Sequence, residues 1–165
     1  MTVFVKSMIK LTFSLTIFTL LFSFNTKPET ARYKCLIQMT NYAGPKAYLV
    51  ISLVNEKGEY IRTLDVNGND EEWYEDLKEW WAYESNSDEE IDGITGASVG
   101  NGERKITVIE LSQDKLDSGH KIRFETAVED QDYFVSDIEI PLTTEEMESK
   151  YPGIGYIRYV RILEN

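Results

Sequence analysis

Apolar and polar residues change rhythm several times along this chain, and each change marks an element. From Ala31 the apolar positions alternate: Tyr33, Cys35, Ile37 and Met39 are interleaved with Arg32, Lys34 and Gln38, with Leu36 the one interruption on the polar side. A period of two predicts a strand with one buried face. Ala47 to Val54 is nearly all apolar, which predicts a strand buried on both faces and therefore central. The turn residues Asn41-Tyr42-Ala43-Gly44-Pro45 precede it, and Asn55-Glu56-Lys57-Gly58 reads as a hairpin into Tyr60 to Leu64. These three strands are expected to form a meander.

After Asn67-Gly68-Asn69-Asp70 the rhythm turns helical. Asn69 or Asp70 can cap a helix whose first turn carries Glu71 and Glu72, and Trp73, Leu77, Trp80 and Trp81 fall on one stripe. All three tryptophans of the protein lie there, and covering an end or face of the sheet is the ordinary use of such a stripe. Tyr83 to Ser98 has no periodicity and reads as a long connection, closed by Gly100-Asn101-Gly102. Strand patterns return at Lys105 to Leu111, Lys121 to Val128, Tyr133 to Ile140 and Tyr156 to Leu163, with a short helix expected from Thr143. Seven short strands, one short helix and one long functional loop predict an all-β fold, an immunoglobulin-like antiparallel β-sandwich.

The first 28 residues belong to a different plan. Lys6 and Lys10 precede an apolar run from Leu11 to Phe24, interrupted only by Thr and Ser and shorter than the roughly 20 residues a spanning helix needs. Residues 1–28 are therefore expected to be a signal peptide or N-terminal anchor, and residues 29–165 one exported sandwich domain. No small-x-small pattern surrounds Phe24-Asn25-Thr26, so cleavage and retention both stay open.

Charge and rare residues narrow the chemistry. With 17 Lys plus Arg against 29 Asp plus Glu, the formal net charge is −12, a field that repels nucleic-acid backbones and anionic lipid headgroups. Cys35 has no second cysteine to pair with, and with His120 as the single histidine no zinc-ligand spacing exists. Cys35 fits a buried structural thiol, and His120 after Ser118-Gly119 fits a turn. A hydrolase has no Gly-x-Ser-x-Gly to rest on.

One stretch suggests chemistry: Asp92-Gly93-Ile94-Thr95-Gly96-Ala97-Ser98. Its glycines permit close backbone approach and Ala97 adds only a methyl, so the Ser98 hydroxyl can enter another protein's active site. The same letters also describe an ordinary surface turn. The stretch resembles the flavinylation motif Asp-Gly/Ala-x-Ser/Thr-Gly-Ala-Ser/Thr of exported bacterial proteins that receive FMN through a phosphoester. Together with the apolar strand at 47–54, Gly-Glu-Tyr-Ile-Arg-Thr-Leu at 58–64, Leu77 with Trp80, and the 121–127 strand, it resembles the predicted periplasmic domain-of-unknown-function family numbered 2271, over about residues 31–142.

That resemblance implies that Ser98 is the covalent FMN acceptor, with Ser where Thr is frequent. It implies that Asp92, Gly93, Thr95, Gly96 and Ala97 are what a separate FMN transferase reads when it donates FMN from FAD. It further implies a membrane redox partner of PepSY type, and an electron carrier in the cell envelope rather than an enzyme. The label of flagellar hook-capping-like given to some relatives fits a shared sandwich, not a shared task. Trp80, Trp81 and Tyr83 are the candidates for contact with the flavin ring. The rival reading is a non-redox envelope adhesion or assembly module of the same fold without a cofactor.

Overall fold

A computed structural model describes residues 29–68, 70–88, 91, 94–147 and 149–164. The export segment at 1–28, and with it Asn69, Glu89, Glu90, Asp92, Gly93, Glu148 and Asn165, lies outside the described residues.

Two sheets face each other. One holds β1 (Thr30–Met39), β5 (Arg104–Ser112), β8 (Lys150–Pro152) and β9 (Ile157–Glu164) in the order β5-β1-β9-β8. The other holds β2 (Tyr48–Val54), β3 (Tyr60–Asn67), β4 (Thr95–Gly96), β6 (Lys121–Ala127) and β7 (Tyr133–Pro141) in the order β4-β3-β2-β6-β7. All pairs are antiparallel except β3 with β4. The chain is thus an all-β sandwich. Its β3-β2-β6-β7 and β1-β5 pairings follow the C′CFG and BE arrangement of immunoglobulin-like domains, with β9 on the flank of β1 that a first strand would take.

The alternation in β1 does what its period dictates: Tyr33, Cys35, Ile37 and Met39 are buried while their neighbours face outward. They meet Leu49, Ile51, Phe124, Ile138, Ile109 and Val160 in the main core. Each such side chain contributes on the order of 1.5–3 kcal/mol by leaving water. Every residue of β2 is buried and the strand is central, as its apolar run requires.

The expected meander is corrected. β1 pairs with β5 and β9 and makes no ladder with β2, because the chain crosses from one sheet to the other at 40–47. Thr40 donates to the carbonyl of Tyr156, the Tyr42 ring packs edge-on against Tyr156 at 4.9 Å, and Gly44 takes a φ of 133° before Pro45. A single period-two pattern names a buried face but not the partner across it, so sequential order was a poor guide here. The helix expected from Thr143 is also corrected: residues 144–147 form a turn, followed by the short β8.

The outer face of the second sheet is covered by the tryptophan segment. Asp70 accepts from the Glu72 amide and starts a 3₁₀ turn over Glu71–Asp76; the chain bends at Leu77 (ψ 60°) and continues as α1, Lys78–Glu84. The stripe is therefore broken into two short pieces, which presses Tyr74, Leu77 and Trp80 onto Tyr48, Val50, Val66 and Ala127 as a second core.

Candidate functional site

The segment carrying the motif is not a free loop. Thr95 and Gly96 pair in parallel with Val66 and Asn67, and the Gly68 amide donates to the Gly96 carbonyl at 2.7 Å. Val99, next after Ser98, exchanges two hydrogen bonds with Ala47, at 2.8 and 2.9 Å. The Tyr42 hydroxyl reinforces that bridge by donating to Val99 O (2.9 Å) and accepting from Ala47 N (2.8 Å). Thr95 Oγ1 donates back to Ile91 O at 2.9 Å, which fixes the entry side. Ala97 and Ser98 consequently arch between two pinned points.

On that arch Ala97 is exposed and Ser98 half-buried, and no hydrogen bond among the described residues engages the Ser98 hydroxyl. Asp92 and Gly93, the opening of the motif, lie outside the described residues. The tether at β4 is two residues long and sits on a sheet edge, the kind of contact that opens at small cost compared with core strands.

A polar cluster lies beneath the arch. A methyl placed on Gly96 would stand 3.3 Å from Lys105 Nζ and 3.7 Å from Asn67 Oδ1, so the backbone passes close over both. Asn67 donates through Nδ2 to Asp65 Oδ2 at 2.6 Å, while its Oδ1 is buried with no donor among the described residues. Thr107 Oγ1 donates to Asp65 Oδ1 at 3.0 Å and ties β3 to β5 across the open side of the sandwich. Burial pushes the Asp65 carboxyl up, opposed by the Asn67 and Thr107 hydrogen bonds and by the Lys105 charge.

Beside the arch, Tyr74, Trp81 and Ile91 line a shallow cleft of about 190 Å³ together with Glu71, Glu84 and Ser85. Tyr74 joins cleft and motif, since its hydroxyl donates to Gly68 O at 2.8 Å and Gly68 holds Gly96. Of the expected ring contacts, Trp81 is half-buried at this cleft. Trp80 is corrected: it is fully buried, its indole Nε1 donates to Thr63 Oγ1 at 3.0 Å, and it offers a ligand no face. Tyr83 stacks on Tyr60 at 5.3 Å and donates to Ile61 O, turned toward β3.

Sequence reading did not single out Tyr42, Asn67, Tyr74 or Lys105. Each looked like an ordinary turn, strand-end or helical residue; the pairing of β4 with β3 brings Asn67, Tyr74 and Lys105 to the motif, and the Ala47–Val99 bridge brings Tyr42.

Two further groups carry chemistry of their own. Glu125 is fully buried on the covered face of β6, where Tyr60 and Tyr133 hydroxyls each donate to it at 2.5 Å. Burial pushes its carboxyl up to about 7 against those two hydrogen bonds and the nearby Arg123. Ser118 Oγ and His120 Nδ1 stand 2.7 Å apart, but the hydroxyl donates to Lys115 O at 2.6 Å, so the imidazole N–H is the donor of the pair. That is a turn lock, with the proton in the wrong place for a base and nucleophile. Burial pushes the Cys35 thiol up to about 12.

Two facing β-sheets, a covered outer face and a partly exposed serine on an arch between two backbone anchors define the class as an all-β sandwich. Residues 30–159 match the family described as predicted periplasmic protein, DUF2271, and the chain belongs to that family. No curated protein and no solved structure matches the chain. The description agrees with the export expected from the first 28 residues. Among the described residues no helix is long and apolar enough to cross a membrane, and no three His, Cys, Asp or Glu side chains gather around a metal position.

Proposed function

We propose that this protein is an exported electron carrier that bears FMN on Ser98, esterified by a separate transferase. The observation that carries the reading is the arch: a serine hydroxyl with no hydrogen-bond partner among the described residues, next to an exposed alanine, held between the Gly96 and Val99 anchors in the spacing the transferase motif requires. In the transfer, Ser98 Oγ forms the new bond to the phosphorus of the FMN half of FAD. The pyrophosphate bond breaks, AMP leaves, and the hydroxyl proton passes to a base of the transferase.

The residues present fit the group. Lys105 Nζ supplies positive charge at the loop for a phosphodiester, and Asn67 Oδ1, without a donor among the described residues, suits a hydroxyl of the ribityl chain. The Tyr74, Trp81 and Ile91 cleft offers an aromatic wall. At about 190 Å³ it is smaller than the roughly 300–1,000 Å³ of sites that enclose a ligand, so a covalent tether has to do what enclosure does elsewhere. The flavin would supply one- and two-electron chemistry, and the chain would supply retention and orientation. Because a covalently held group cannot diffuse out of the envelope, the tether suits an exported carrier passing electrons from a PepSY-type membrane protein to an outer acceptor.

Co-expression of the full chain with an FMN transferase in an export-competent host, followed by flavin fluorescence of the denatured band, tests the reading. A fluorescent band that vanishes in Ser98→Ala supports it. A dark wild-type band, or a fluorescent Ser98→Ala band, refutes it and leaves the cofactor-free adhesion or assembly module.

A further inference from the structure

We infer that the uncovered face of the β5-β1-β9-β8 sheet is a docking surface for an anionic phospholipid bilayer. The two sheets differ in what lies on their outer sides. The second is roofed by the 71–84 segment, whereas no described element packs over the first.

Register places the side chains on that bare face. Arg32, Lys34, Leu36 and Gln38 of β1 point outward, opposite Glu110, Val108, Ile106 and Arg104 of β5. Leu163, Arg161 and Tyr159 of β9 continue the face on the other flank, with Lys150 of β8 beside Arg161. Five cations thus share a face with Glu110 as the one outward acid among the described residues of these strands, in a chain of net charge −12.

Arg32 is matched by that acid at 3.2 Å. Arg104, Lys150 and Arg161 are not: no described carboxylate lies within ion-pair distance of any of them. Arg104 donates instead to Gln38 Oε1, and Lys150 Nζ sits 3.8 Å over the Tyr159 ring. These three surround a groove of about 290 Å³ floored by Leu36, Ile106 and Tyr159. In a chain so rich in acids, three neighbouring cations with no carboxylate among the described residues are an arrangement that an external anion completes.

The occupant follows from the shape. The cations are spread over four strands of a sheet rather than along a line, so they match a plane of charge. Between them Ile106 and Val108 are 55% and 38% exposed, two of the four large aliphatic side chains the described surface displays. Cations flanking exposed aliphatics are what a headgroup layer over acyl chains receives. The repulsion expected from the whole-molecule charge does not prevent this, because charges farther than the Debye length of about 8 Å are screened at physiological salt. This inference does not rest on flavin attachment.

The test is vesicle co-sedimentation of the full exported chain on phosphatidylcholine vesicles with and without phosphatidylglycerol. The expected result is binding that requires phosphatidylglycerol and is abolished near 1 M salt, where the Debye length is about 3 Å. Each cation removed should weaken it about fivefold, so Arg104→Gln with Lys150→Gln and Arg161→Gln together should lower partitioning on the order of 100-fold. Lys46→Gln, Lys57→Gln and Lys78→Gln, exposed cations of loops and the other sheet's cover, should leave it unchanged. Equal, salt-resistant binding to both vesicle types overturns the inference in favour of insertion by the first 28 residues. Unchanged binding of the Arg104, Lys150 and Arg161 variant overturns it outright. Capture on polyglutamate without vesicle binding overturns it in favour of an acidic protein partner.

Discussion

Replacing Glu125 by Gln should change how the stability of this domain depends on pH, by an amount the structure supplies. Glu125 is fully buried, and its carboxyl is pushed up to about 7 from an unfolded value near 4.5. Between those two values the folded state holds more protons than the unfolded state, so stability contributed at this position falls as pH rises. The shift is equivalent to about 3 kcal/mol, fully absent at pH 4 and fully developed above about pH 8. Glutamine keeps the shape and an oxygen for one of the two tyrosine hydroxyls but has no proton to lose. Urea denaturation of both proteins at several pH values isolates the effect, since every other carboxylate is common to the two. The stability of Glu125→Gln relative to wild type should rise by about 2.5 kcal/mol from pH 5 to pH 8, or about 8 °C in Tm. Parallel stability curves over that range would refute the assignment of a buried, reluctant carboxylate.

Other expectations follow from the same packing. Trp80→Ala should destabilise the fold by about 3–5 kcal/mol in urea, because it empties the centre of the second core; Trp80→Phe should lose less, chiefly the bond to Thr63. Tyr42→Phe removes the hydroxyl bridging Ala47 and Val99 and should cost about 1–3 kcal/mol, with faster amide exchange at Val99 than in the core of β2. Cys35, buried with its thiol pushed up to about 12, should resist alkylation until the domain unfolds, so labelling should track the unfolding curve.

How much of this was legible beforehand depended on whether the information was periodic. The strands announced themselves, β1 by alternation and β2 by its unbroken apolar run; β6 alternates Ile122, Phe124 and Thr126 with Arg123 and Glu125 as a half-buried strand would, yet both of its faces are buried because the 71–84 segment covers the outer one. Which sheet each joined was not announced, since Tyr33, Cys35 and Ile37 say that one face is buried without saying against what. β4 was invisible because Thr95-Gly96 is too short to carry a period, yet it decides the site by drawing the motif onto β3 over Lys105 and Asn67. The basic sheet face was written in the sequence as Arg32, Lys34, Arg104 and Arg161, but net charge averaged it away. Only the register of β1 with β5 and β9 reassembles it. Trp80 shows the opposite case: the stripe belongs to the core as its period says, and the indole left half-buried at the cleft is that of Trp81 rather than Trp80.

The central claim concerns one oxygen atom, and intact-mass measurement with peptide mapping addresses it most directly. After export alongside an FMN transferase, the chain should gain the mass of one FMN less one water, located on the peptide containing Ser98. An unmodified chain in a host whose transferase demonstrably loads another substrate, or a flavin found on any other residue, would contradict the account.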